Sequence, residues 1–351
     1  MDLLRFIAIF TVLISHSITV LPEKFYFVHH FIFDGVLIFF VLSGFLIGRI
    51  FIKQFERQIN IAEIFKFWKR RWLRTLPAYF FTILLIILLS FFLELRLDKK
   101  EIIKTIFFIQ NLTYRQGGFF SESWSLSIEE WFYLLLPLSV VIFSFLFRKN
   151  IKLIMILVTF LIILGSVYFR YFIFLYRTIS SVNEWDYNLR CAVIARLDSL
   201  MIGVLGAWFY HYKSQLFFKY KNLEFVLGLT IFFINKILIS LEVWPFNGFY
   251  MKVLYFSVLP CSVLLMLPFV YCLRPFENKL INNIVIKGSL ISYSLYLLNF
   301  TIISTILLKP LPINYWYKFI LFWFLSYFFA VLMYKYIEIP FMKLRDKKII
   351  K

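Results

Sequence analysis

The sequence predicts an all-α, polytopic integral membrane protein with about ten transmembrane helices and both termini in the cytoplasm. Three observations carry that expectation. Of the 351 residues, 62% are hydrophobic, and the mean hydropathy is +0.83. A soluble domain of this length could not bury so much apolar side chain. Apolar stretches close to the roughly twenty residues needed to cross a bilayer recur along the whole chain. Lys and Arg concentrate in alternate connections, as they do on the cytoplasmic side of membrane proteins.

The expected spans are about 3–21, 30–52, 76–95, 125–147, 151–170, 191–212, 222–240, 250–272, 289–308 and 316–338. The apolar segment 101–112 is too short to cross and reads as interfacial or re-entrant. The connection after the second span holds Arg49, Lys53, Arg57, Lys66, Lys69, Arg70, Arg71 and Arg74, so it is placed inside. The connections with Arg148, Lys149 and Lys152, with Lys213, Lys219 and Lys221, and with Arg274, Lys279 and Lys287 then fall on the same side. So does the tail with Lys343, Arg345, Lys347, Lys348 and Lys351. The chain reads as one membrane domain over residues 1–345 with a short basic cytoplasmic tail, 346–351. No cleavable signal peptide is expected, because no small-residue cleavage site follows the first apolar run.

The net charge of +19 is not a nucleic-acid signal here. It lies between membrane spans, where it sets topology and attracts anionic lipid or phosphate. The three cysteines stand at unrelated spacings in or beside apolar spans, so neither a disulfide framework nor a metal site is expected.

Four stretches could carry chemistry. In LLRFIAIFTVLISHS, Leu3 to Ser17, Arg5 and His16 are eleven residues apart, so a helix brings them to nearly the same face about 16 Å apart along its axis. Polar groups in an apolar span usually face a bundle interior or a wet cavity, although Arg5 could instead snorkel to the headgroups. In FDGVLIFFVLSGFLIG, Phe33 to Gly48, Asp34 lies at the same outer depth as His16 and could orient it. Gly44 and Ser43 are as compatible with helix packing as with contact to a substrate. In FWKRRWLRTLPAY, Phe67 to Tyr79, Arg70, Arg71 and Arg74 recur at helical spacing. Guanidinium forks suit phosphate, and Trp68 and Trp72 could anchor at the interface or stack on a base. In SWSLSIEEWFYLLLPL, Ser123 to Leu138, Ser127 and Glu130 form a capping-box pattern. Glu129 is then left needing a partner, and His16 is a reasonable one. Of the later stretches, Arg196 and Asp198 in ARLDSLMIG should each pair with another span. Glu338 in YIEIPFMKL reads as a helix terminus with a local ion pair. Asn183, Trp185 and Asp186 fall in an outer loop that could meet a sugar.

Taken in order, Arg5-x10-His16, GVLIFFVLSGFLIG, RRWLRTLPAY, WSLSIEEWFY, RLDSLMIG, ISYSLYLLNF and YIEIPF resemble the membrane acyltransferase family 3, the O-antigen and exopolysaccharide O-acetylases. The resemblance runs from residue 2 to about 342. It implies a transferase in the bacterial inner membrane that takes an acyl group, usually acetyl, from cytoplasmic acyl-CoA. The group goes to a hydroxyl of a surface polysaccharide or lipid-linked glycan. No permanently bound cofactor is implied. His16 and Arg5 match the family's essential pair, Glu129 matches the glutamate of its WSLSxE motif, and Asp34 stands near the expected acidic position, where Leu37 replaces the usual Asp. Arg70, Arg71 and Arg74, with Trp72 among them, match the basic motif and are the expected acyl-CoA contacts. Asn299 stands where the family often has a histidine. Met1 stands almost against the first motif, which points to a start upstream, and no esterase-like domain of the sort fused to some members follows. His16 would act as general base, its tautomer held by Asp34 or Glu129, or as a transiently acylated relay. The competing class is a multispan transporter or flippase of a lipid-linked sugar, against which stands the absence of an obvious internal repeat.

Overall fold

The computed structural model describes residues 1–30, 32–56, 60–114, 118–147 and 150–347, and all regular structure among them is helical. Arg57, Arg148, Lys149, Lys348 and Lys351, which entered the charge asymmetry, lie outside these residues, as does most of the tail. Among the described residues, nine helices are long and apolar enough to cross a membrane, and a bent pair makes ten if it counts as one span. The protein is therefore a multi-pass membrane protein.

The helices are α1 (Asp2–Ser17), α2 (Gly35–Phe55), α3 (Ile61–Phe92), α4 (Lys99–Ile106), α5 (Ser123–Leu146), α6 (Ile151–Tyr176), α7 (Val182–Trp185), α8 (Val193–Tyr212), α9 (Ser214–Lys219), α10 (Lys221–Ser240), α11 (Tyr255–Tyr271), α12 (Lys279–Leu290), α13 (Ser292–Leu298), α14 (Tyr315–Met333) and α15 (Ile339–Lys347). Helix α13 continues into a π-helical segment, Asn299–Leu308, and the α12–α13 break turns the span by 56°.

At the centre α2 lies against α8, and these are the two most buried spans. Glycines make the approach possible. A Cβ on Gly44 would fall 1.9 Å from the Leu200 carbonyl oxygen, and one on Gly203 would fall 2.2 Å from that of Val41. Without a solvent-driven hydrophobic force in lipid, such close packing is a main source of helix association. Gly44 is thus a packing residue, whereas Ser43 beside it reaches a different partner described below.

Three expectations are corrected. The basic stretch from Lys66 to Arg74 is not a loop. Asn60 caps α3 by accepting from the Glu63 amide at 2.9 Å, and the helix runs through Pro77 without ending. Ser127 and Glu130 do not form a capping box, because α5 begins at Ser123 and Ser127 lies a turn inside. Ser127 instead accepts from Gln110 Nε2 at 2.6 Å. Glu338 is not a helix-terminal ion pair. It is buried, in a π-helical turn between α14 and α15, and accepts from Ser294 Oγ.

Segment 101–112 agrees with a non-crossing reading. After α4 the chain turns inward and buries Gln110 and Asn111. Asn111 Nδ2 donates to the carbonyls of Trp124 at 2.9 Å and Cys191 at 2.6 Å. Irregular backbone at this depth is tolerable because protein, not lipid, satisfies it.

Intramembrane charge is handled the same way. Arg170 on α6 meets Asp198 on α8 at 2.8 Å, both fully buried. Its remaining donors reach the carbonyls of Val253 and Ala195 and Ser257 Oγ, and Ser257 also donates to Asp198 at 2.8 Å. Arg196 is handled differently: its Nε and Nη2 have no hydrogen-bond partner among the described residues, and its guanidinium lies 4.6 Å from the ring centroid of Phe256 on α11 and 5.6 Å from that of Phe40 on α2, a cation–π arrangement. Removing one partner of a buried pair leaves an uncompensated charge, at a cost of about 3–5 kcal/mol. Arg170→Leu should therefore lower the melting temperature of the detergent-purified protein sharply, and the double variant with Asp198→Leu should recover most of the loss. Equal melts for the single and double variants would show that the pair does not hold α6 to α8.

Candidate active site

Two cavities meet at the beginning of α2. The first has a volume of about 120 Å³ and lies between α1, α2, α3, α5 and α13. Arg5, Arg71 and Arg74 line it together with Ser43, Glu129 and Tyr293. Glu129 accepts from Ser43 Oγ at 2.8 Å and from Tyr133 Oη at 3.1 Å. Three guanidinium groups against one carboxylate leave this cavity net positive, which favours an anion with several oxygens.

Helical periodicity sorts the basic motif. Arg71 and Arg74 are three apart and share the face turned to the cavity, whereas Arg70 and Trp72 do not line it. Trp72 stacks on Trp68, with ring centroids 5.7 Å apart, and donates its indole N–H to Glu130 at 3.1 Å. Glu130 also accepts from Thr75 Oγ1 at 3.0 Å, so this second glutamate ties α5 to α3. Of the expected set Arg70, Arg71, Arg74 and Trp72, only Arg71 and Arg74 line this cavity, and Arg5 joins them there.

The second cavity has a volume of about 360 Å³ and is lined by His16, Ser15, Asp34, Asp186, Arg190 and Lys236, among others. His16 Nδ1 lies 2.5 Å from Asn299 Oδ1. The Asn299 amide is oriented by its own nitrogen, which donates to the carbonyls of Leu295 at 2.7 Å and Tyr296 at 3.1 Å. Its oxygen is therefore an acceptor. This puts the proton on Nδ1 and leaves the Nε2 lone pair free to act on a ligand. The Phe300 ring lies 4.6 Å from the imidazole.

The site thus departs from the expected partners of His16. Glu129 is in the other cavity and does not orient it. Asp34 shares the His16 cavity but is committed elsewhere. It caps α2 by accepting from the Val36 and Leu37 amides at 3.1 and 3.4 Å, and it accepts from Arg190 Nε at 3.2 Å. Arg190 is shared with Asp186 at 3.3 Å. Trp185, packed on Phe256, also lines the cavity, and Asn183 does not.

Sequence reading missed two supports. Asn299 was visible only as a departure from a motif. Glu122, one residue before the SWSLS stretch, is buried and accepts from the Phe300 and Thr301 amides at 3.0 and 2.8 Å and from Thr301 Oγ1. It clamps the π-helical turn that presents Asn299. Among the described residues, no three of His, Cys, Asp and Glu come together as a metal ion would require.

A family model described as an acyltransferase domain matches residues 1–338. The chain belongs to the acyltransferase 3 family. Among curated members, it is 30% identical over 348 residues to a Staphylococcus aureus (strain COL) protein named "Putative O-acetyltransferase". It is 27% identical over 341 residues to the O-acetyltransferase OatA of Staphylococcus aureus (strain NCTC 8325 / PS 47). Each alignment covers 89% of this chain and 53% of the relative, so the chain spans about half the length of these acyltransferase 3 relatives. No solved structure matches.

If His16 acts as a base, Asn299 positions it through the Nδ1–Oδ1 hydrogen bond. Asn299→Ala should lower kcat for acyl transfer about tenfold or more, because an oriented base contributes about 100-fold or more. The donor KM should stay near its original value, and Asn299→Asp, which keeps an acceptor oxygen, should retain most of the rate. A fall in donor affinity instead of kcat would assign Asn299 a purely structural role.

Proposed function

We propose that this protein is an O-acyltransferase of a bacterial plasma membrane that moves a short acyl group, acetyl first among them, from cytoplasmic acyl-CoA to a hydroxyl of a surface or lipid-linked glycan. The observation that supports this reading most is the pairing of the cavities. A cavity rich in guanidinium groups adjoins one holding a histidine whose tautomer leaves Nε2 as a base. The family and its relatives named as O-acetyltransferases point the same way.

In this reading the donor enters the basic cavity, where Arg71 and Arg74 attract its phosphates and Arg5 flanks its arm. The acceptor hydroxyl lies in the His16 cavity. Nε2 removes the hydroxyl proton as that oxygen bonds to the thioester carbonyl carbon. The C–S bond breaks, coenzyme A leaves as a thiolate, and the imidazolium returns the proton to sulfur. The net change is one ester formed and one thioester consumed. Glu129, held by Ser43 and Tyr133, tempers the positive charge of the donor cavity.

The test uses membranes containing the protein, radiolabelled acetyl-CoA and a glycan-bearing membrane fraction. His16→Ala should lower label transfer about 100-fold or more, in keeping with the loss of a general base. Arg71→Ala should raise the KM for acetyl-CoA while leaving kcat nearer its original value. Label transfer by His16→Ala at the unmodified rate would overturn the reading.

A further inference from the structure

Val36 is the residue, among those described, that lines both cavities. It stands in the first turn of α2, immediately after Asp34 and Gly35, and is only 6% exposed. The backbone that carries it is held on both sides. Asp34 caps the turn through the Val36 and Leu37 amides and is bridged to Arg190. Gly35 lies so close to α1 that an added Cβ would fall 2.2 Å from the Ala8 carbonyl oxygen. The side chain itself is β-branched and has one strongly preferred rotamer in a helix. The wall between the cavities at this point is therefore a fixed isopropyl group on a pinned backbone.

From this placement we infer that Val36 is the partition across which the acyl group passes from the donor cavity to His16, and that its side-chain size selects short acyl groups. The inference rests on the donor reading above and adds to it the residue that sets the class of acyl group. An acetyl carbonyl presented from the basic cavity needs only its methyl group to clear Val36. Each further methylene has to be threaded past the Val36 side chain before it reaches the larger His16 cavity, or turn back into a cavity of about 120 Å³. Packed interiors feel a change of one methylene. The transfer step is unchanged: the carbonyl carbon exchanges its bond to sulfur for one to the acceptor oxygen, and the hydroxyl proton passes through His16 to the thiolate.

The test compares acetyl-CoA with butyryl-CoA in the wild type, Val36→Ala and Val36→Leu, reading the ratio of the two transfer rates. Val36→Ala should raise the butyryl-to-acetyl ratio about tenfold or more, the scale at which a pocket discriminates by a methylene. Val36→Leu should lower it. Opposite shifts for the smaller and larger side chain cannot come from impaired folding, which lowers both rates together and leaves the ratio where it was. An unmoved ratio in whichever variant retains acetyl transfer overturns the partition. Wild-type membranes that transfer from neither acyl-CoA overturn the donor reading itself and this inference with it.

Discussion

The bridge between Asp34 and Arg190 is the interaction on which the candidate site depends. One carboxylate oxygen stops the orphan amides at the start of α2, and the other accepts from a guanidinium that also reaches Asp186. Capping alone contributes about 1 kcal/mol. Here the cap also decides where the first turn of α2 sits relative to α1, and hence where Val36 stands between the two cavities. Gly35 and Gly44 extend this control along the same helix, by letting it touch α1 at one end and α8 further on.

A second constraint is the satisfaction of polar groups in a medium that offers them no water. Asp198 is saturated by Arg170 and Ser257. Glu130 is held by Trp72 and Thr75, and Glu338 by Ser294. Glu122 accepts backbone amides that a π-helical turn leaves over. These groups are structural because their lone pairs and protons are already used. The Arg5, Arg71 and Arg74 guanidiniums and His16 differ, because they face cavities. The contrast between charge consumed by the fold and charge turned to a cavity separates architecture from site.

The polar network around His16 is also layered. Asn299 sets the imidazole tautomer, two helical carbonyls set Asn299, and Glu122 holds the π-helical turn that follows it. A wider turn gives the chain amides that an α-helix would have consumed internally, and Glu122 accepts two of them. The surroundings of His16 therefore draw on α1, on the residue that precedes α5 and on the α13 continuation, which are remote in sequence.

By itself the sequence determined the membrane class, the approximate spans, the family motifs and the pairing of Arg5 with His16 on one helix. These depend on composition and on periodicities within a single segment, which any helix must obey. It misplaced the start of α3, because the basic residues there read as a cytoplasmic connection although Asn60 caps a helix that runs on through them. It assigned Glu129 and Asp34 to His16, because residue type and depth cannot say which way a side chain turns on its helix. Only the tertiary structure gave His16 to Asn299, Glu129 to Ser43, Glu130 to α3 and Val36 to both cavities. Each of these is a contact between segments far apart in the chain, and such contacts are decided by how whole helices rotate and approach, not by any local pattern.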